Sequence, residues 1–351
     1  MYWIRDFLWS WSMKRQTRAA ERALASARAI PMTLQARIPP PQPGLVPLAA
    51  AIGPAGEALT LWGPASLNTH LHGRTGGEDE PSFPVLATDA PWRASLVVTR
   101  PDAASNVVEI DGLTITFPIL QPLPGSQFLI VGPRCEYTAE GPQRNAVVIG
   151  PDGSTLQTGV LGDGIEEVRT TTSGRIIVGY YDEGVFGNFG WGGPDGPAPI
   201  GASGIVEFDP DLRRVWAYPV DDEAAPSIFD CYALNVIGDT IWACPYTDFP
   251  VLQIEGDRIT VWRNDLAAGA HHLLVHDATV AFVGGYDYDG DFLTVAALAD
   301  GRTQALATRR IEVVWASAVH DLLNTTAQGS KLHRITTDGH WYTLDLAEDE
   351  R

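Results

Sequence analysis

The chain has 351 residues, 45% of them hydrophobic, a formal net charge of −19 and three cysteines. Such a length and apolar share allow two domains or one large all-β unit with a sizeable core. The acidity excludes a nucleic-acid partner, whose phosphates need a basic footprint. Three cysteines with neither C-x-x-C nor zinc-type spacing exclude a secreted disulfide scaffold and point to a cytoplasmic protein.

The charge is uneven: residues 1–37 sum to +5 and the remainder to −24. With Lys14 and Lys331 the only lysines, Schiff-base chemistry has few candidates. No stretch approaches the ~18 apolar residues of a membrane span.

The first element in chain order is "MYWIRDFLWSWSMKRQTRAAERALASARAI", where Trp3, Phe7, Leu8 and Trp11 recur at helical spacing before an Ala/Arg/Glu-rich run. It predicts a helical arm within residues 1–37. Its aromatic face beside Lys14, Arg15 and Arg18 would suit a membrane surface. Packing on its own domain or on a protein partner is the favoured reading. "IPPPQPG" (38–44) breaks the helix and opens the second unit, residues 38–351.

That unit repeats a degenerate motif of two apolar runs joined by a tight turn. It begins at residues 45, 117, 165, 231, 271 and 318, for example "LVPLAAAIGPAGEALTLWG" and "HHLLVHDATVAFVGGYDYDG". A second hairpin follows most copies, as in "NAVVIGPDGSTLQTGV", "GIVEFDPDLRRVWAYP" and "VLQIEGDRITVW". Four strands per unit at this spacing predict an all-β, six-bladed β-propeller. Alternatives are a ring of five or seven blades, or a pair of β-sandwiches. The last unit has only "HWYTLDL" as a third strand, and a propeller left open would expose a pairing edge. "MTLQARI" (32–38) is expected to supply the missing strand.

Between the hairpins of the third unit lies "GYYDEGVFGNFGWG" (179–192), with five glycines and five aromatics and no period. It connects a second strand to a third, and residues 180–200 are expected to fold as a lid over the channel mouth, glycines allowing the tight path. On this reading Phe186, Phe189 and Trp191 are dispensable for folding. Other segments bring polar groups to the same face. The candidate mouth residues are Arg134, Glu166, Tyr181, Asp182, Asn188, Trp191, Asp230, Tyr246, Asp248, His271, Tyr286 and Asp287.

Three chemistries fit that set. Glu166, Asp182, Asp230 and Asp287 could hold one divalent cation, Ca²⁺ through oxygens or Zn²⁺ with histidine. Close carboxylates could split their pKa values and work as acid and base, with Arg134 orienting an anion. Or they form a solvated rim, since Tyr-Asp pairs also end strands and cap loops. Strand alternation predicts that at most one of His271 and His272 faces the channel. The three thiols read as buried and free. P-loop, H-E-x-x-H and G-x-S-x-G motifs are absent.

"GDGIEEVRTTTSGRIIVGYYDEGVFGNFGWG" (162–192), "IGASGIVEFDP" (200–210), "CYALNV" and "YTDFP" resemble bacterial β-propeller-like proteins with no assigned activity, across residues 115–345. In layout the chain is also similar to the six-bladed gluconolactonase-type and NHL-type propellers. The lactonases hold a divalent metal in the channel with carboxylates and an asparagine. That resemblance gives Glu166, Asn188, Asp230 and Asp287 as residue types for such parts, without a lactonase motif to match. The leading expectation is a propeller that binds a small molecule or protein at its mouth. A divalent-metal-dependent hydrolase of lactonase type is the alternative, and the catalytic residues are left unassigned.

Overall fold

Runs such as Leu273-Leu274-Val275 and Val280-Ala281-Phe282-Val283 are apolar at every position, where a strand with one wet face would alternate. The computed structural model shows why. It describes residues 27–75, 83–101, 104–194, 196–220, 225–286, 288–312 and 322–349. In it, six sheets stand around an axis, and each presses both faces on its neighbours.

Blade 1 is Leu45–Ile52, Ala58–Pro64, Ala87–Thr99 and Asn106–Ile115. Blade 2 is Ile119–Leu123, Gln127–Val131, Ala146–Ile149 and Thr155–Gly159; blade 3 is Ile165–Thr170, Ile176–Tyr180, Ile205–Phe208 and Arg214–Ala217. Blade 4 is Leu234–Ile237, Thr240–Ala243, Val251–Glu255 and Arg258–Trp262; blade 5 is His272–His276, Thr279–Gly285, Tyr288–Ala299 and Arg302–Glu312. Blade 6 is Leu322–Gln328, Lys331–Thr336 and His340–Asp345, with a fourth strand from the other end of the chain. The fold is the six-bladed propeller read from the repeats.

The core divides into six clusters, one per blade junction. Leu273, Val275, Val280 and Phe282 pack towards blade 4, whereas Leu274, Ala281 and Val283 pack towards blade 6. A period of two sends successive side chains to opposite faces, and both faces are interior.

Thr33–Arg37 pairs antiparallel with His340–Asp345 and supplies the fourth strand of blade 6. Just before it, Arg28–Pro31 runs parallel to the outer strand of blade 5. Ile30 and Met32 are buried against Ile311, Leu332 and Leu344. One short segment therefore straps the last two blades together. The helix expected over residues 1–30 lies outside the described residues as far as residue 26, and its end is corrected, since Arg28–Pro31 is a strand paired with blade 5; the described residues contain no helix long and apolar enough to cross a membrane. Cys135, Cys231 and Cys244 are free and buried. Burial pushes the thiols of Cys135 and Cys244 up to about 12.

Candidate functional site: the channel chamber

The inner strands surround a chamber of about 350 Å³ that opens on the face carrying the connections from second to third strands. Its depth is limited on one side. Asn235 of blade 4 donates to the carbonyls of Leu273 in blade 5 (2.8 Å) and Gly329 in blade 6 (2.9 Å), and accepts from the Gly329 N–H at 3.0 Å. Gln328 donates to the Val236 carbonyl at 2.9 Å. Blades 4 and 6, which are not neighbours in the ring, thus touch across the axis.

The chamber wall is polar. Glu166, Glu167 and Arg169 come from blade 3, Gln121 from blade 2, Tyr232 from the entry to blade 4, and His271 and His272 from the entry to blade 5. Asn324, Thr325 and Thr326 of blade 6 complete it, with His72 and Phe117 at the rim. Glu166 is the extra residue of a bulge, because the ladder between the first two strands of blade 3 slips between Ile165 and Glu167. A bulge re-aims a side chain out of the alternating pattern, and here it turns Glu166 to the channel. Although water reaches this carboxyl, protein surrounds it. Desolvation, with Glu167 and Asp230 as like charges nearby, pushes it up to about 7. Asp230 is raised to about 6 by desolvation and by Asp182.

Deeper lies Arg169, 3% exposed. Its Nη2 donates to Glu167 Oε1, while Glu167 Oε2 accepts the Leu234 N–H at 3.0 Å. Arg169 Nε has no hydrogen-bond partner among the described residues, nor has Nδ1 of His272. Burial first, and then the Arg169 charge, push His272 down to about 3, so its ring is neutral at physiological pH. His333 of blade 6 is likewise held near 3, with Arg169 contributing after Lys331. Arg169 borders the chamber from the inner strand of blade 3.

The expected mouth residues separate into groups. Glu166 and His271 line the chamber. Tyr286 reaches it through Tyr232, with the two hydroxyls 2.7 Å apart. Asp230 and Asp182 lie beside Glu166 as a line of repelling carboxylates. Tyr246 and Asp248 are exposed further out, where Tyr246 exchanges backbone hydrogen bonds with the Phe229–Asp230 segment. Asp287 lies outside the described residues. One expectation is corrected: both His271 and His272 border the chamber. His271 precedes the strand, which begins at His272, so alternation does not govern the pair.

The remaining four belong to a different assembly, a clasp between blades 2 and 3. Arg134, 8% exposed, binds both oxygens of Asp163 at 2.9 Å, contacts Glu183 at 2.5 Å and donates to the Tyr181 hydroxyl. Its guanidinium also lies 4.4 Å from the centre of the Phe189 ring. Trp191 is buried and donates to the Cys135 carbonyl at 2.7 Å; Asn188 accepts from the Phe189 N–H at 2.8 Å. The glycines permit this docking: a Cβ on Gly190 would stand 2.1 Å from the Tyr137 carbonyl oxygen, and one on Gly184 2.5 Å from that of Asp163. No chamber-lining residue comes from residues 180–200, although Asp182 approaches the rim beside Asp230. Phe189 and Trp191 pack on blade 2, whereas Phe186 is exposed and meets Phe229. Nor is Arg134 open to an anion, because its donors are engaged.

Sequence reasoning passed over Arg169, Tyr232, Gln121 and the blade 6 hydroxyls. The available signal was Glu167-Val168-Arg169, opposite charges two apart in an inner strand, where both faces should be apolar. Among the described residues no group of three or more His, Cys, Asp or Glu is placed to hold a metal ion.

The YxzG family matches residues 207–284, from the third strand of blade 3 to the second strand of blade 5. No curated protein matches the chain. Similar solved structures include virginiamycin B lyase from Staphylococcus aureus, at 8% identity and a TM-score of 0.43 over 90% of this chain and 99% of that one. BamB from Moraxella catarrhalis is 12% identical, with a TM-score of 0.42 over 90% and 99%. A gluconolactonase from Xanthomonas campestris is 11% identical, with a TM-score of 0.40 over 88% and 99%.

Proposed function

We propose that this propeller binds a small polar molecule in its channel chamber. The observation that carries the reading is a charged guanidinium, almost fully buried at the edge of a polar cavity, whose one ion pair among the described residues leaves its Nε without a hydrogen-bond partner. Burying a charge without hydrogen-bond partners is costly, and folded proteins avoid it unless another partner arrives. The volume lies at the lower end of the range for small-ligand pockets. The loop at 182–204 acts as a buttress of this site and sets the blade 2–3 wall from which Glu166 projects.

A library of small metabolites, read by thermal shift, tests the proposal. A ligand should raise the melting temperature of the native chain and fail to do so after Thr325→Trp, which fills the chamber. Stabilisation that survives this substitution would move the site elsewhere. Metal analysis of the dialysed protein tests the hydrolase alternative: about one tightly held Ca²⁺ or Zn²⁺ per chain would favour metal-assisted hydrolysis at the Glu166–Asp230 rim.

A further inference from the structure

Arg169 differs from the other chamber groups in both burial and charge. Its side chain is 4% exposed, and Glu167, at 19%, shares the interior with it. A planar guanidinium prefers a planar, bidentate acceptor. Glu167 does not saturate it, for one of that residue's oxygens is turned to the Leu234 N–H and Arg169 Nε has no partner. The neutral ring of His272 stands nearby with Nδ1 unmatched. Thr325, Thr326 and Asn324 add short polar side chains on the opposite wall.

We infer that Arg169 is the anion subsite of the chamber and that the ligand is a small monocarboxylate bearing a hydroxyl or amine. This rests on the chamber being the binding site. The carboxylate of the ligand faces the free side of the Arg169 guanidinium, and its hydroxyl or amine donates to Glu166 at the bulge. A phosphate is disfavoured because a second negative charge would meet Glu166 and Glu167 within the same 350 Å³. A neutral ligand would form only uncharged hydrogen bonds to the guanidinium, weaker than those a carboxylate makes.

Ligand-observed NMR titration of the full chain with L-lactate, lactamide and inorganic phosphate tests the inference. Lactate should bind, lactamide and phosphate should not. Arg169→Gln should weaken lactate by about ten-fold or more, the worth of one charge-assisted hydrogen bond. Glu167→Gln keeps an oxygen for the Leu234 N–H but removes the competing charge, so lactate should bind several-fold tighter. This second variant carries the test if Arg169→Gln does not fold. Equal binding of lactate and lactamide, stronger binding of phosphate, or lactate affinity indifferent to Glu167→Gln would overturn the carboxylate assignment. If a neutral ligand binds in a Thr325→Trp-sensitive way while lactate does not, the anion subsite falls and the chamber reading stands. If nothing binds in a Thr325→Trp-sensitive way, both fall.

Discussion

Arg134 and Arg169 are buried to nearly the same extent, yet one is closed and the other open. Arg134 has a carboxylate on two nitrogens, a second carboxylate and a phenol on the third, and an aromatic face against the plane. Arg169 has one partner among the described residues, Glu167, and borders a cavity. Burial alone therefore does not mark a functional arginine. What separates a clasp from a binding group is how many of its N–H donors the protein itself accepts.

The comparison breaks most visibly at Arg134. Arg134→Met should remove the charged partner of Asp163 and leave a carboxylate whose side chain is 2% exposed with the Cys135 N–H but no counter-charge, costing about 3–5 kcal/mol in denaturant unfolding. Trp191→Ala should cost a similar amount, about 3–5 kcal/mol, because it empties a packed aromatic site. Protease cleavage within residues 182–204 should accelerate in both. A loss below about 1 kcal/mol would show that the clasp is ornamental and that the loop is held by other contacts.

At Arg169 the stability effect should be small and the binding effect large. The double variant Glu167→Gln, Arg169→Met removes both charges together. Replacing a buried pair with neutral groups is often neutral or stabilising, so unfolding free energy should stay within about 1 kcal/mol of the native chain or rise. Lactate binding should vanish. A large destabilisation instead would make Arg169 a second clasp.

The blade count, the closing strand and the hairpin turns could be read from sequence because they depend on period and turn chemistry. Those are local properties, repeated six times. Glu166 and His271 were also identifiable, since they sit at strand entries that must face the same mouth. The lid expected at residues 180–200 is only half legible, because its rings and glycines suit a cover and a docked buttress equally. The docking of Phe189 and Trp191 beside Arg134 and Tyr137 has no sequence signal of its own. Arg169 was missed because inner-strand residues near the axis are distinguished by depth, a property with no sequence period.

Glu166 gives a pH-dependent version of the same contrast. Its carboxyl is held near 7 in the folded chain, against an ordinary value of 4.5. Between those values the folded state keeps a proton that the unfolded state has released, so this group lowers stability as pH rises through the window. His272 and His333 act oppositely: held near 3 against 6.5, they lower stability as pH falls below 6.5. Comparison with Glu166→Gln isolates the first effect, and the variant should gain melting temperature over the native chain at pH 8 but not at pH 5. The groups facing Glu166 are Glu167, Arg169, Asp230, Tyr232, His271 and His272, with Asp182 behind Asp230. Ionising Glu166 adds a negative charge opposite an anionic ligand, so lactate affinity should fall a few-fold from pH 6 to pH 8. In Glu166→Gln that fall should disappear; a fall of the same size would place the titrating group elsewhere in that set.

The smallest effect is expected at Phe186, and it tests whether the loop is a buttress or a cover. Phe186 is 61% exposed and touches Phe229 with ring centres 5.4 Å apart. Phe186→Ala therefore removes little buried area, and its stability cost should be about 0.5 kcal/mol or less. A loop that only braces the blade 2–3 wall transmits nothing from this ring to the chamber, so lactate affinity and its dissociation rate should stay unchanged. A cover that closes over ligand would need an exposed aromatic at its tip, and losing that ring would speed dissociation. Unchanged dissociation in Phe186→Ala, beside the unfolding cost at Trp191, would separate the two halves of one loop: a buried half that holds the wall in place and an exposed half that takes no part in binding at the chamber.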